Sequence, residues 1–273
     1  ECKEMLIEAF QLSEDYDAPV LFRTTTRINH SKSLVSLGDR VEHPVKPYKK
    51  NLSKYNCVPM VSRALRVRIE ERNKRLRDYS NTSRFNRAEM AGDEVGVIAS
   101  GVCYQYAREV FGDKASYLKL GFTNPLPDQL IKDFAAKVKT LYILEENDPY
   151  IEDFVRGLGI ACHGKDLFPA YGEMLPEVIR AALSGKKVEP DLEVAEQLIP
   201  RAPTLCAGCP HRGFFYELGK RKNVIVSGDI GCYSLAYAEP YNAMDWSLCM
   251  GASITMGHGA QTVLDTVEDK KLR

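Results

Sequence analysis

The chain lacks several features that would place it quickly. It has no run of about eighteen consecutive apolar residues, which excludes a hydropathy-defined membrane-spanning helix. The charged start Glu1-Cys2-Lys3-Glu4 does not resemble a secretion signal. It also has no excess of either charge: Lys plus Arg total 37 and Asp plus Glu total 37. That balance argues against a dedicated nucleic-acid or membrane-surface binder. Eight cysteines in 273 residues are too sparse for a secreted disulfide scaffold, so a reducing, cytoplasmic setting is expected. Neither a Walker loop nor a GxGxxG fingerprint occurs. With 44% hydrophobic and 27% charged residues, the chain has the composition of a folded protein of about two domains. It does not begin with Met, and a piece of a longer protein is expected.

Met5 to Leu12 has apolar residues at helical spacing, and Pro19-Val20-Leu21-Phe22 reads as a short buried strand. From about Ile28 to Ala91 the sequence turns polar and basic, with Lys46-Pro47-Tyr48-Lys49-Lys50 and Val67 to Arg75 as its most charged stretches. It reads as an extended linker and a charged helix over roughly 58 to 79, whose basic residues form a solvated face; an RNA-binding arm is the alternative. Three strand-then-helix units follow. The strands are Val95 to Ser100, Ser116 to Leu120 and Thr140 to Glu145; the helices are Tyr104 to Phe111, Gln129 to Val138 and one starting near Pro149. Such alternation implies a parallel α/β sheet. A helix over Pro176 to Leu183 comes next, and Pro190 to Ala202 reads as an interdomain connection. The last segment reads as a helix holding Phe214 to Leu218, a strand Asn223 to Ser227, a turn Gly228 to Cys232 and a small-residue helix Gly251 to Val267. The turn Glu268 to Lys271 is expected to lead toward a further strand.

Cys103 and Cys162 sit in apolar contexts and read as small core residues. Cys206, Cys209, Cys232 and Cys249 cluster in the last quarter. Cys206-Ala207-Gly208-Cys209 has the spacing that turns two thiolates toward one metal, and the glycine permits the tight turn. Structural zinc, an iron-sulfur site and a thioredoxin-like redox pair are open readings, with plain packing as the competing one. Zinc wants a second closely spaced pair, and the redox reading wants a preceding strand that Ala202-Pro203-Thr204 does not suggest. A cluster asks only for thiolates converging in space, and Cys232 sits at a strand end suited to that. Gly228-Asp229-Ile230-Gly231-Cys232 and Met250-Gly251-Ala252-Ser253 place small residues where backbone amides approach a phosphate. A plain tight turn and close helix packing are their competing readings. Trp246 reads as packing, His258 as an interior histidine, and His163 and His43 carry no motif.

Taken in order, Cys206-Ala-Gly-Cys-Pro-His-Arg-Gly-Phe, Gly228-Asp-Ile-Gly-Cys-Tyr and Cys249-Met-Gly-Ala-Ser-Ile resemble the thiamine-diphosphate domain of the 2-oxoacid:ferredoxin oxidoreductases. The nearest likeness is to alpha subunits that act on arylpyruvates such as indolepyruvate. The resemblance runs along the whole chain. It implies the end of a pyrimidine-binding domain at 1–34, a linker with a charged helix at 35–92, a transketolase-C-terminal-like domain at 93–187 and an incomplete thiamine-diphosphate-binding α/β domain at 195–273. The implied activity is oxidative decarboxylation of an arylpyruvate to an aryl-acetyl coenzyme A, with electrons passing through iron-sulfur clusters to ferredoxin.

The resemblance also implies site residues. Gly228, Asp229, Ile230, Gly231, Cys232, Tyr233, Met250, Gly251, Ala252 and Ser253 would line thiamine diphosphate. Cys206, Cys209 and Cys232 would hold a 4Fe-4S cluster, with Cys249 a makeshift fourth ligand, and Arg27 would face the substrate carboxylate. A beta subunit, ferredoxin, coenzyme A and a 2-oxoacid are the implied partners. The family's magnesium-binding Gly-Asp motif and the glutamate that activates the aminopyrimidine have no counterpart in this sequence. The chain alone is therefore expected neither to bind thiamine diphosphate tightly nor to turn over. The same chemistry on another 2-oxoacid, and a non-catalytic zinc-binding interaction module, are the alternative functions.

Overall fold

A computed structural model describes residues 1–43, 45, 47–188 and 202–266. The chain divides into two compact units, Glu1–Pro190 and Asp191–Arg273. The centre of the first is β2 (Val95–Ser100), whose Val-Gly-Val-Ile-Ala-Ser run is buried through its middle. A continuous apolar strand suits a sheet covered on both faces. β2 pairs in parallel with β3 (Ser116–Leu120) on one side and β4 (Thr140–Leu144) on the other. β1 (Arg87–Glu89) runs antiparallel to β3 at the edge, giving the order β1-β3-β2-β4.

Side chains alternate across this sheet with the period of two that a strand imposes. Val97, Ala99, Tyr117 and Leu144 face α5 (Val102–Phe111) and α8 (Pro176–Ser184), where Cys103, Ala107, Met174 and Ile179 complete one core layer. Ile98, Leu118, Leu120, Leu141 and Ile143 face the opposite layer, built by α6 (Asp128–Ala135) and α7 (Tyr150–Gly157) through Ile131, Phe134, Ile151 and Val155. Gly96 is required where α6 closes on β2: a Cβ there would lie 2.7 Å from a Val138 methyl and 3.1 Å from the Phe134 ring.

The amino-terminal part attaches to the same unit. α1 (Cys2–Tyr16) begins beside β3, where the almost fully buried Lys119 pairs with Glu1 and lies over the Tyr104 ring. Two short helices, α2 (Thr26–His30) and α3 (Leu52–Tyr55), precede the long α4 (Pro59–Thr82), which opens on a proline at its first turn. Asn86 is buried and acts as a hub: its side chain bonds Ser80, Gly121 and Phe122, locking the end of α4 to the loop after β3.

Several expectations need correction. Pro19 to Phe22 forms no strand, and Val20 and Leu21 are exposed, because no neighbouring strand offers them a hydrogen-bonding ladder among the described residues. The stretch read as linker contains β1, whose Arg-Ala-Glu sequence has the short, charged character of a sheet edge and no apolar alternation to announce it. The predicted 190–202 connection falls almost wholly outside the described residues, as does the 268–271 turn. The strands at 95–100 and 116–120 and the α/β class are as expected. Among the described residues no helix is long and apolar enough to cross a membrane.

Candidate functional site

The second unit is assembled around a glycine turn. α9 (Pro210–Gly219) packs Phe215 into a small core with Leu205, Ala236, Tyr241 and Ala243. β5 (Ser227–Gly228) and β6 (Trp246–Ser247) form a two-residue parallel pair. The strand expected over Asn223 to Ser227 is thus confined to its last residue and Gly228. Upstream, Val226 is held by its partner loop instead: its amide donates to the Asp245 carboxylate at 2.6 Å and its carbonyl accepts from the Asp245 amide at 3.0 Å. Trp246, read as packing, is half-buried and donates its indole N–H to the Ser227 hydroxyl at 3.0 Å.

α10 (Ala252–Leu264) starts at Gly251, whose positive φ of 87° suits glycine. Its first turn is held by Asp229, which accepts from the Ser253 amide at 2.7 Å and the Ser253 hydroxyl at 2.6 Å. These bonds, the hydroxyl's first and then those of the Ser253, Gly251 and Ala252 amides, hold the Asp229 carboxyl below the usual range. A carboxylate at a helix N-terminus is favoured because the first amides there have no partner within the helix. The glycine turn and the small-residue helix, separate motifs in the sequence, are therefore tied together by one side chain.

Between α9, β5 and the start of α10 lies a cavity of about 360 Å³. Gly228, Asp229, Tyr233 and Ser253, all expected to line a cofactor, do line it. So do His211, Phe214, Phe215, Leu218 and Met244, to which no site role was given from the sequence except through the weight the family motif lends His211. Their signal was the placement of Phe214 to Leu218 on the helix directly after the cysteine pair. Gly228 has no room for a side chain, since a Cβ would lie 2.5 Å from the Met244 sulfur and 3.2 Å from the Trp246 carbonyl. The His211 ring stacks on Phe215, with centroids 6.2 Å apart, and lies 6.0 Å from the Tyr233 ring. Ile230, Gly231, Cys232, Met250, Gly251 and Ala252 are in the adjoining turns rather than in the cavity wall.

The cysteines are arranged differently from the glycine turns. Gly208 adopts a positive φ of 76°, and the Cys209 amide closes the turn onto the Cys206 carbonyl at 3.1 Å. Cys209 caps α9, so the pair does stand at a helix N-terminus, although among the described residues no strand leads into it. The Cys209 sulfur lies 3.3 Å from His211 Nδ1, two residues along the chain. Cys206, Cys232 and Cys249 are exposed. Among the described residues no three His, Cys, Asp or Glu side chains are gathered for a metal ion. Cys206, Cys209 and Cys232 have the soft donors a cluster requires, but this arrangement does not bring them together.

Arg27 belongs to the first unit, on α2, where it is exposed and ion-paired with Glu173. The Glu173 hydrogen bond and charge, joined by the electrostatic influence of Tyr106 and Glu146, raise its already high pKa. Cys103 is 4% exposed, with its thiol pushed up to about 12 by burial; Cys162 packs half-buried against the α6–α7 layer. His258 is exposed on α10, contrary to the interior reading, because among the described residues no element covers that helix face.

No protein-family model matches the chain. It is 37% identical over 280 residues to the indolepyruvate oxidoreductase subunit IorA of Methanothermobacter marburgensis, covering 93% of this chain and 45% of that protein. To the subunit of the same name from Pyrococcus horikoshii it is 33% identical, covering 97% of this chain and 46% of the relative. A solved 2-oxoglutarate:ferredoxin oxidoreductase from Magnetococcus marinus aligns with 48% of the chain at 21% identity and a TM-score of 0.35. The chain spans about half the length of the curated relatives it matches. Over that span, and with near-complete coverage of its own residues, it belongs to the family of the indolepyruvate oxidoreductase subunit IorA.

Proposed function

We propose that this chain is the part of a thiamine-diphosphate-dependent 2-oxoacid:ferredoxin oxidoreductase subunit that contributes the cofactor's diphosphate-side cavity. The whole protein then converts arylpyruvates such as indolepyruvate to aryl-acetyl coenzyme A in the cytoplasm, with a beta subunit and with ferredoxin as electron acceptor. The observation that carries the reading is the convergence of Gly228, Asp229, Tyr233 and Ser253, from two separated motifs, on one cavity beside β5.

The residues present fit such a cofactor. Phe214, Phe215, Leu218 and Met244 give the cavity apolar walls, and Met244 fills the space beside the Gly228 backbone where a side chain would otherwise stand. Asp229 already occupies the amides that begin α10, so an anion arriving there has to displace the carboxylate or share it through a cation such as Mg²⁺. When bound, thiamine diphosphate supplies a nucleophilic carbon for the 2-oxoacid carbonyl and an electron sink for loss of carbon dioxide. Ser253 and Asp229 then orient the phosphate end, and His211, stacked on Phe215, borders the cavity with a group able to hold a proton. Arg27, with its paired Glu173, is the candidate for the substrate carboxylate, a role that rests on the motif resemblance alone.

The test is turnover by the complete subunit with its partner subunit, coenzyme A and ferredoxin, using indolepyruvate, phenylpyruvate and pyruvate. Preference for the aryl substrates is expected; preference for pyruvate moves the assignment to another 2-oxoacid, and no turnover on any of them overturns it. A zinc-binding module is the second reading, favoured by the 3.3 Å approach of Cys209 to His211. Anaerobic purification separates the two: iron with acid-labile sulfide, lost in Cys232→Ala, supports a cluster, whereas one equivalent of zinc without sulfide supports the module.

A further inference from the structure

The basic helix read as a solvated face carries a concavity. Between the carboxyl end of α1 and the middle of α4 lies a cleft of about 520 Å³, lined by Tyr16 and Asp17 from α1 and by Arg68, Arg72, Lys74 and Arg75 from α4. Glu71 is the one acidic side chain that α4 adds to it. The Asp17 carboxylate is already satisfied by Lys54, so cations are in excess. Arg68 and Lys74 form no ion pair among the described residues.

Two of the guanidinium groups are positioned in advance. Arg75 lies over the Tyr16 ring, 5.3 Å from its centroid, and Tyr79 holds that ring edge-on. Arg72 donates through Nη1 to the Asp17 carbonyl at 2.6 Å, where α1 ends in a left-handed residue. That bond uses one side of the Arg72 fork. The Nε atom on the other side is buried and has no hydrogen-bond partner among the described residues. A solvated helix face gives its arginines water as acceptor; an occluded, unpartnered N–H beside a cationic cleft lacks one. Binding through the Nε/Nη2 edge, a planar double donor matched to two oxygens of a carboxylate or phosphate, requires Arg72 to turn its occluded Nε into the cleft that the side chain lines. Three further cations around it, Arg68, Lys74 and Arg75, favour the more highly charged of these.

We propose that this cleft binds a phosphate-bearing anion, a diphosphate or a phosphate ester, with Arg72 as its central fork and Arg68, Lys74 and Arg75 as surrounding charge. The site is in the first unit and stands independently of the reading of the second. The test is calorimetric titration of the full chain with inorganic pyrophosphate and with adenosine 5′-diphosphate. Both are run in parallel on Arg72→Gln and on Arg68→Gln, a change at an exposed position that leaves the Asp17 contact in place.

Saturable pyrophosphate binding is expected, weakened by salt and roughly tenfold to a hundredfold weaker in Arg72→Gln, as loss of a charged hydrogen-bond donor implies. If Arg72→Gln does not fold, weaker binding in Arg68→Gln supports the site in its place. Equal affinity for the two ligands assigns recognition to the diphosphate alone, whereas tighter adenosine diphosphate binding adds a contribution from Tyr16; either supports the site. Absence of binding, binding unchanged in the folded variants, or tight binding of a single-stranded RNA that pyrophosphate does not displace overturns it. Pyrophosphate binding that is unchanged in the arginine variants and altered only by Asp229→Ala would locate the anion in the second unit and overturn this site while leaving the cofactor reading intact.

Discussion

At the scale of single residues, Asp229 and Cys103 show how position sets chemistry. Asp229 is held ionised by the Ser253 hydroxyl and by amides at the start of α10. Its carboxyl lies below the ordinary range when folded, so its contribution to stability is present above that range and is lost as pH falls through the lowered pKa. Cys103 works in the opposite sense. Its thiol, buried between β2 and α5, titrates near 12 rather than its ordinary 9.0. The native state thus retains that proton more strongly, and stability is lost as pH rises between those two values. A thiol-reactive disulfide reagent at pH 8 should modify the exposed Cys206, Cys232 and Cys249 promptly and leave Cys103 intact until the protein unfolds. Prompt modification of Cys103 would show that the α5 layer opens. The apolar neighbours of Cys103 made its burial legible in the sequence. The bonding of Asp229 to Ser253 was not legible, because it joins positions 24 apart that only the turn at Gly251 brings together.

At the scale of elements, strands of five or six residues packed in the core declared themselves and the two- and three-residue strands did not. β2 and β3 are largely apolar and buried because helices pack on both sides, and their limits were readable to the residue. β1 is three residues of mixed charge, β5 and β6 two residues each, and none is long enough for a period to emerge. Gly96 is the element-level contact most open to test, since Val138 and Phe134 from the α6 side press on the space where its side chain would be. Gly96→Ala should destabilise the first unit by about 1–3 kcal/mol through overpacking, read as a lower denaturant midpoint at unchanged slope. A neutral outcome would mean that Val138 yields without cost. The same logic explains the missed cavity wall: Phe214, Phe215 and Leu218 satisfy an ordinary helix pattern, and only the turn at Gly228 gives them a hollow to line.

At the scale of the whole molecule, the chain aligns over nearly all of its own length with relatives about twice as long, and the proposed function makes it a contributor to a larger catalyst. The family was readable from the order of three motifs, none of which is specific alone. The cysteines remain the part where sequence and geometry diverge, since thiols arranged along the chain as cluster ligands are not gathered among the described residues. The cavity beside β5 is where residues of two sequence motifs meet, and a spectroscopic reporter is built in beside it. Trp246 is the only tryptophan, and its indole N–H is bonded to Ser227 in the cavity wall. The most direct measurement is therefore a titration of the chain's tryptophan emission with thiamine diphosphate and Mg²⁺, compared with Asp229→Ala. A weak, saturable change in emission that is weaker still in the variant is expected. Emission that does not respond, or that responds identically without the Asp229 carboxylate, contradicts the assignment of this cavity to the cofactor.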